Sequence, residues 1–120
     1  LIMKDPSLSD FKTWYDVNRP DVVIGVDHMT LEFLTRMDMA IPREVGYASL
    51  DLDGDRPFFS GLSGIDQNSR RVGAAAIDLL VASIHRGDRG IPSHPTRVEV
   101  EGTWIAGSST TIQKQRKSKR

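Results

Sequence analysis

Cysteine is absent from the 120-residue sequence. Thiol nucleophiles, disulfide bonds and cysteine-ligated zinc are therefore excluded for this chain, and the absence agrees with a reducing, cytoplasmic location. The three histidines, His28, His85 and His94, lie in unrelated contexts. We therefore expect no metal site and no cofactor.

Net charge and long apolar runs are missing as well. Sixteen basic residues balance sixteen acidic ones, so the field that draws a basic domain to nucleic acid is lacking. The apolar runs are far shorter than the roughly 18 residues of a membrane span, and residues 1–5 do not read as a secretory signal. The composition, 38% hydrophobic and 27% charged, is typical of one soluble domain. That domain is expected over residues 1–110, followed by a basic disordered tail over residues 111–120.

The first half of the sequence predicts alternating helices and strands. A short helix is expected before Pro20, with its Phe11, Trp14 and Tyr15 cluster as a core anchor. The β-branched run at 22–26 predicts a parallel strand buried on both faces. A helix is expected from Thr30 to the Ile41-Pro42 dipeptide, and a second strand over 45–50.

This strand-helix-strand order predicts an α/β fold with a parallel sheet. Asp27 and Asp51 would then follow the carboxyl ends of neighbouring strands. Ligands of open parallel sheets bind in the crevice at those ends, so the two carboxylates are expected to face one site.

The second half of the sequence predicts fewer regular elements. Residues 51–68 read as irregular, followed by a helix from Ser69 to Gly87 whose first amides are capped by Asn68 or Ser69. The alternation at 97–101 predicts a half-exposed strand that continues toward Trp104. The helix is expected to have one apolar stripe, formed by Val72, Ala76, Leu79, Leu80, Ser83 and Ile84.

The acidic run at 51–55 has alternative interpretations. As a calcium loop it fails, since Gly54 stands fourth instead of sixth and Leu62 occupies the place of the bidentate Glu. It also resembles the Asp-x-Asp-Gly-Thr motif of haloacid-dehalogenase-like phosphatases, in which the first Asp is a nucleophile. However, Asp55 replaces the Thr, and residues 57–113 contain no lysine. The neighbours Asp27 and His28 lack a nucleophile-elbow serine, so we expect no catalytic residues.

Four segments in a distinctive order resemble the effector-binding domain of LacI/GalR-type transcriptional regulators. They are Pro-Asp followed by an apolar strand at 20–27, the Ile-Pro turn within 39–46, the crossover and helix at 64–80, and the segment at 101–110. Two features depart from the family pattern. Asp27-His28 replaces an Asn-Asp pair, and the segment at 63–67 replaces a Pro-Leu-Thr-Thr crossover.

The resemblance implies a fold of two lobes, like that of periplasmic sugar-binding proteins. This chain would supply part of one parallel-sheet lobe, and the helix at 69–86 would belong to the second lobe. The chain would pass between the lobes near 62–68 and 90–100, with Gln67 and Asn68 at the crossover. Outside a two-lobed protein, the helix would expose its apolar stripe.

The resemblance also implies a function. Asp27, His28 and Asp51 would contact the hydroxyls of a sugar or similar effector, and Phe58 would pack against its ring. The protein would be a homodimeric repressor that binds operator DNA through an N-terminal domain absent from this sequence. A periplasmic sugar-binding protein of a transporter is the alternative, and the phosphatase is the third hypothesis.

Overall fold

The fold was obtained as a computed structural model, which describes residues 7–26, 28–52 and 60–110. It is an α/β arrangement with a four-stranded, mostly parallel sheet. In chain order the elements are α1 (Leu8–Asn18), β1 (Val22–Gly25), α2 (His28–Arg36), β2 (Gly46–Ser49), β3 (Ser63–Asp66), α3 (Ser69–Arg86) and β4 (Thr103–Ile105). No helix in the described ranges combines the length and apolar character needed to cross a bilayer.

The sheet has the strand order β1-β2-β3-β4. The first three strands run parallel, and β4 runs antiparallel to β3, with Ile65 opposite Trp104. The predicted parallel pairing of the first two strands is therefore confirmed. The expectation that residues 51–68 are irregular is wrong at its end, because β3 lies there. Gly64 allows β3 to approach β2 closely, since a Cβ at this position would collide with the backbone oxygen of Ser49.

The two short helices cover one face of the sheet. Their buried side chains pack on Val23 and Tyr47, which are register partners on β1 and β2. Phe11 from α1 and Phe33 from α2 meet with ring centroids 5.4 Å apart. The core is built from Phe11, Tyr15, Val23, Leu31, Phe33, Leu34, Val45 and Tyr47. The predicted anchoring role of the α1 aromatic cluster is thus confirmed, with Trp14 partly buried against this core.

The opposite face of the sheet is exposed along β1. On β1 only alternate residues are buried, and Val22 and Ile24 are exposed. The prediction that this strand is buried on both faces is therefore wrong for the described part of the chain. The run of β-branched residues at 22–26 indicates an apolar environment on both faces of the sheet. Among the described residues, helices pack on only one of these two faces.

The ends of α2 differ from the prediction. The helix begins two residues before Thr30, at His28, and it stops at Arg36 instead of continuing to Ile41-Pro42. Asp38 adopts a left-handed conformation with φ 57°, and the N–H of Met39 donates to the carbonyl of Leu34 over 3.1 Å. This local closure satisfies a helix carbonyl and ends the helix before the proline is reached.

The return from α3 also differs from the prediction. The helix spans Ser69–Arg86 as expected, and Gly87 caps it in a left-handed conformation. However, residues 95–102 form no strand, and Val98 is exposed. A strand needs a partner for its backbone groups as well as an alternating pattern. The described part of the chain provides one only from Thr103 onward.

A cluster of hydroxyl groups binds the segment after β4 to the sheet. The cluster consists of the hydroxyls of Ser63, Ser109 and Thr110. The Ser109 hydroxyl donates to the carbonyl of Tyr47 over 2.7 Å and accepts from the N–H of Ser63 over 2.8 Å. The Thr110 hydroxyl donates to that of Ser63 over 2.7 Å. The N–H of Tyr47 donates to the carbonyl of Ser109 as well. These bonds hold residues 107–110 against the amino ends of β2 and β3.

Candidate functional site

The candidate site lies where the three parallel strands end. Because β1, β2 and β3 run parallel, the residues that follow them meet at one edge of the sheet. His28 follows β1, Asp51 follows β2, and Gln67 and Asn68 follow β3. The structure therefore brings together, at one edge, four of the six residues singled out in the sequence. Asp27 and Phe58 lie outside the described residues.

Asp51 has a rigid backbone and an exposed side chain. The residue before it is anchored to β1, since the N–H of Leu50 donates to the carbonyl of Gly25 over 2.8 Å. The residue after it is anchored to β3, since the N–H of Leu52 donates to the carbonyl of Ile65, also over 2.8 Å. The N–H of Asp51 donates to the hydroxyl of Ser49 over 3.1 Å. Asp51 is itself exposed, so its carboxylate is accessible at a position where the neighbouring backbone is hydrogen-bonded to the sheet.

His28 is the first residue of α2 and is exposed. It comes three residues after the end of β1, whose last residue, Gly25, pairs with Ser49 at the end of β2. An imidazole can donate one hydrogen bond and accept another. Placed at the same edge as the Asp51 carboxylate, it adds a second polar group of different hydrogen-bonding character.

Gln67 ties the end of β3 to the end of β2. Its side-chain amide donates to the carbonyl of Leu50 over 2.8 Å. Leu50 is the immediate neighbour of Asp51. The crossover that leads into α3 is therefore bonded directly to the segment that carries the candidate ligand-binding carboxylate.

Asn68 connects the segment that leads into α3 with the segment that returns from it to β4. Its amide donates to the carbonyl of Glu101 over 2.8 Å and to the hydroxyl of Thr103 over 3.1 Å. Its backbone N–H donates to the Asp66 carboxylate over 2.8 Å, and its φ of 53° is left-handed. Asparagine tolerates this conformation better than most residues.

The capping prediction is corrected at this position. Asn68 is the residue that precedes the first turn of α3, but its side chain forms no capping hydrogen bond. Its amide is used instead on the returning segment. The sequence indicated a polar residue at the crossover, yet nothing in it specified the partner 33 residues away.

The described pockets lie away from this edge. One, of about 250 Å³, is lined by Tyr15, Asp21, Arg43 and neighbouring side chains near the amino ends of β1 and β2. Another, of about 650 Å³, lies beside the carboxyl end of α3 and includes Arg86 and His94. Neither is lined by His28, Asp51 or Gln67. Among the described residues, no group of three or more histidine and acidic side chains is arranged to hold a metal ion.

The arrangement at the edge is suited to binding polar groups. A solvent-facing carboxylate accepts hydrogen bonds from neighbouring hydroxyls, and an imidazole can supply or accept another. Comparison of the chain with family models, with curated proteins and with solved structures found no match.

Proposed function

We propose that this chain is the effector-sensing and dimerising region of a LacI-type transcriptional regulator. It binds a small polar ligand, most simply a sugar, at the carboxyl edge of the sheet, and it catalyses no reaction. The ordered motifs of the sequence support this family. The parallel α/β sheet supports it at the level of fold class only.

A single observation carries the ligand-binding proposal. Asp51 stands at the carboxyl edge of a parallel sheet, exposed, between one residue bonded to β1 and one bonded to β3. This is where α/β sheets bind ligands. A carboxylate held there accepts charge-assisted hydrogen bonds from ligand hydroxyls, which are about twice as strong as neutral ones. His28 and Asp27 are proposed as further polar contacts, and Phe58 as the apolar contact with the ring.

The proposed mechanism uses the crossover. In a protein with two lobes, the lobe that receives α3 moves relative to the sheet as the crossover segments near 62–68 and 90–100 flex. A ligand shifts this equilibrium only by its difference in affinity for the two arrangements. The hydrogen bond between Gln67 and Leu50 supports such coupling, because it connects the crossover to the neighbour of Asp51. DNA-binding domains outside this chain would respond to that shift.

Asp51→Asn tests the assignment of the carboxylate. Each lost charge-assisted hydrogen bond costs about 1.5–3 kcal/mol, so we expect sugar affinity to fall roughly 10- to 100-fold. Isothermal titration calorimetry with the sugar that stabilises the wild-type chain measures this. Asp78→Asn, an exposed change on α3, is the matched control and should leave affinity unchanged. Equal sugar affinity in wild-type and Asp51→Asn chains would show that the carboxylate is not a ligand contact.

A further inference from the structure

The pocket of about 250 Å³ near the amino ends of β1 and β2, here the amino-end pocket, has no part in the proposed function. It lies at the edge of the sheet opposite to Asp51. Its lining residues fall in two short stretches of this chain, 15–21 and 39–44. Sites for drug-sized ligands usually measure roughly 300–1,000 Å³, so this pocket suits a smaller molecule.

Backbone hydrogen bonds hold both stretches in place. The N–H of Gly46 donates to the carbonyl of Asp21 over 2.8 Å, which ties the first stretch to the start of β2. Within the second stretch, the N–H of Glu44 donates to the carbonyl of Ala40 over 2.7 Å. The backbone around the pocket is therefore ordered before a ligand arrives, and binding does not have to bear the cost of ordering it.

Four charged side chains line the pocket, and two of them already have partners. The guanidinium of Arg19 pairs with an aspartate of α1 over 3.2 Å. The carboxylate of Glu44 accepts from the N–H of Ala40 over 2.8 Å. Among the described residues, the guanidinium of Arg43 and the carboxylate of Asp21 form no hydrogen bond or ion pair, either with each other or with another group. In the described part of the chain, the pocket thus presents one free positive and one free negative group.

We propose that the amino-end pocket binds a small zwitterion of the class of apolar α-amino acids. The guanidinium of Arg43 receives the ligand carboxylate through paired N–H donors, and the carboxylate of Asp21 accepts hydrogen bonds from the ligand ammonium group. Tyr15, which is 4% exposed, and Met39, which packs against the core, supply apolar surface for the ligand side chain. A neutral ligand would leave both charges without a partner, and an ion of one sign would satisfy only one of them.

Binding at the amino-end pocket is independent of sugar binding at the carboxyl edge. The two sites share no residue, and they lie at opposite ends of the strands. A ligand in the pocket should shift the nuclear magnetic resonance signals of the Ala40, Glu44 and Gly46 amides. A sugar should instead shift those of Leu50 and Leu52, on either side of Asp51. Failure of one site would therefore leave the other untouched.

Three probes with the same side chain separate the contributions of the two charges. L-leucine carries both charges, L-leucinamide lacks the carboxylate, and N-acetyl-L-leucine lacks the ammonium group. Titrated into the isotope-labelled 120-residue chain, L-leucine should shift the three pocket amides with a dissociation constant of about 1 mM or below. Each derivative should bind at least about tenfold more weakly, because one charge-assisted contact is lost. Equal affinity for the three probes, shifts confined to other amides, or no shift with L-leucine would each overturn the proposal.

Two variants match each charge of the pocket to one group of the ligand. Arg43→Gln should weaken L-leucine at least about tenfold and leave the weaker binding of L-leucinamide unchanged, since that probe has no carboxylate. Asp21→Asn should weaken L-leucine to a similar extent and leave N-acetyl-L-leucine unchanged. Arg36→Gln and Glu32→Gln change an exposed ion pair on α2 outside the pocket, and these matched controls should bind L-leucine as the wild type does. Full L-leucine affinity in either pocket variant would overturn the proposal.

Discussion

The side-chain amide of Gln67 donates a hydrogen bond to the backbone carbonyl of Leu50, 2.8 Å away. This bond spans from the segment after β3 to the segment after β2, and it ends one residue from Asp51. Two backbone bonds fix the residues on either side of Asp51 to β1 and β3. The candidate ligand site and the crossover to α3 are therefore parts of one hydrogen-bonded edge.

Asn68 is expected to stabilise the crossover through both its left-handed backbone conformation and its side-chain amide. Asn68→Gly keeps the left-handed conformation accessible but loses two side-chain hydrogen bonds, so it should lower the free energy of unfolding by about 1 kcal/mol. Asn68→Ala loses the same bonds and adds the cost of a left-handed alanine, about 1 kcal/mol more. Urea denaturation of both variants measures the difference. Equal stability of the two variants would contradict a role for the backbone conformation.

Ser109 is expected to be the most important hydroxyl in the buried cluster. Ser109→Ala removes the bonds to the carbonyl of Tyr47 and from the N–H of Ser63, both in a buried setting. Leaving such groups without partners costs about 1–3 kcal/mol. Thermal or urea unfolding measures this loss. The adjacent control Ser108→Ala removes only an exposed bond to Gly61 and should cost clearly less. A larger loss for Ser108→Ala would show that the buried cluster does not hold this segment.

Asp10 provides a pH-dependent prediction. The hydroxyl of Ser7, and then its backbone N–H, donate to the Asp10 carboxylate and hold the pKa of that group below its usual value. Because the folded-state pKa is depressed, the stabilisation is present above the unfolded-state pKa and is lost as pH falls through the folded-state value. Asp10→Asn should therefore be less stable than wild type at pH 6, and the gap should close as the pH drops below 4.

Urea unfolding at a series of pH values from 2 to 6 measures this gap. Asp16→Asn is a suitable control, since Asp16 is an exposed residue of the same helix and pairs with Arg19 instead of Ser7. A gap for Asp10→Asn that stays constant across the whole range would contradict the assigned cause. The expected difference is small, because Ser7 and Asp10 are both exposed to solvent.

The sequence predicted the elements that carry their own local signals. The helix capped by Gly87 and the strands around Val23 and Tyr47 have clear local signals, namely helical spacing with a glycine stop and runs of β-branched or apolar residues, and the structure confirms these elements. β3 was missed because Ser63-Gly64-Ile65-Asp66 has little apolar content, and it forms a strand because its backbone pairs with β2 and β4. Non-local pairing also explains why the predicted strand at 97–101 is wrong. There the alternation is present, but the described part of the chain offers no partner.

The sequence predicted the position of the candidate site but not its hydrogen bonds. Parallel topology follows from the strand-helix-strand order, and it places the residues after each strand at one edge. Asp51 could therefore be selected from the sequence, and its edge position is confirmed. The bond from Gln67 to Leu50 and those from Asn68 to the returning segment could not be predicted, because they depend on the relative position of segments 17 and 33 residues apart.

Thermal melts of the 120-residue chain with a panel of mono- and disaccharides test the central claim most directly. A ligand at about 100 times its dissociation constant adds roughly 2.7 kcal/mol to the stability of the folded state. For a domain of this size that corresponds to a rise in Tm of several degrees. We predict such a rise with at least one sugar for the wild-type chain, and its loss in Asp51→Asn. A cooperative melt that no sugar shifts, or a shift that Asp51→Asn retains in full, would contradict sugar binding at this edge.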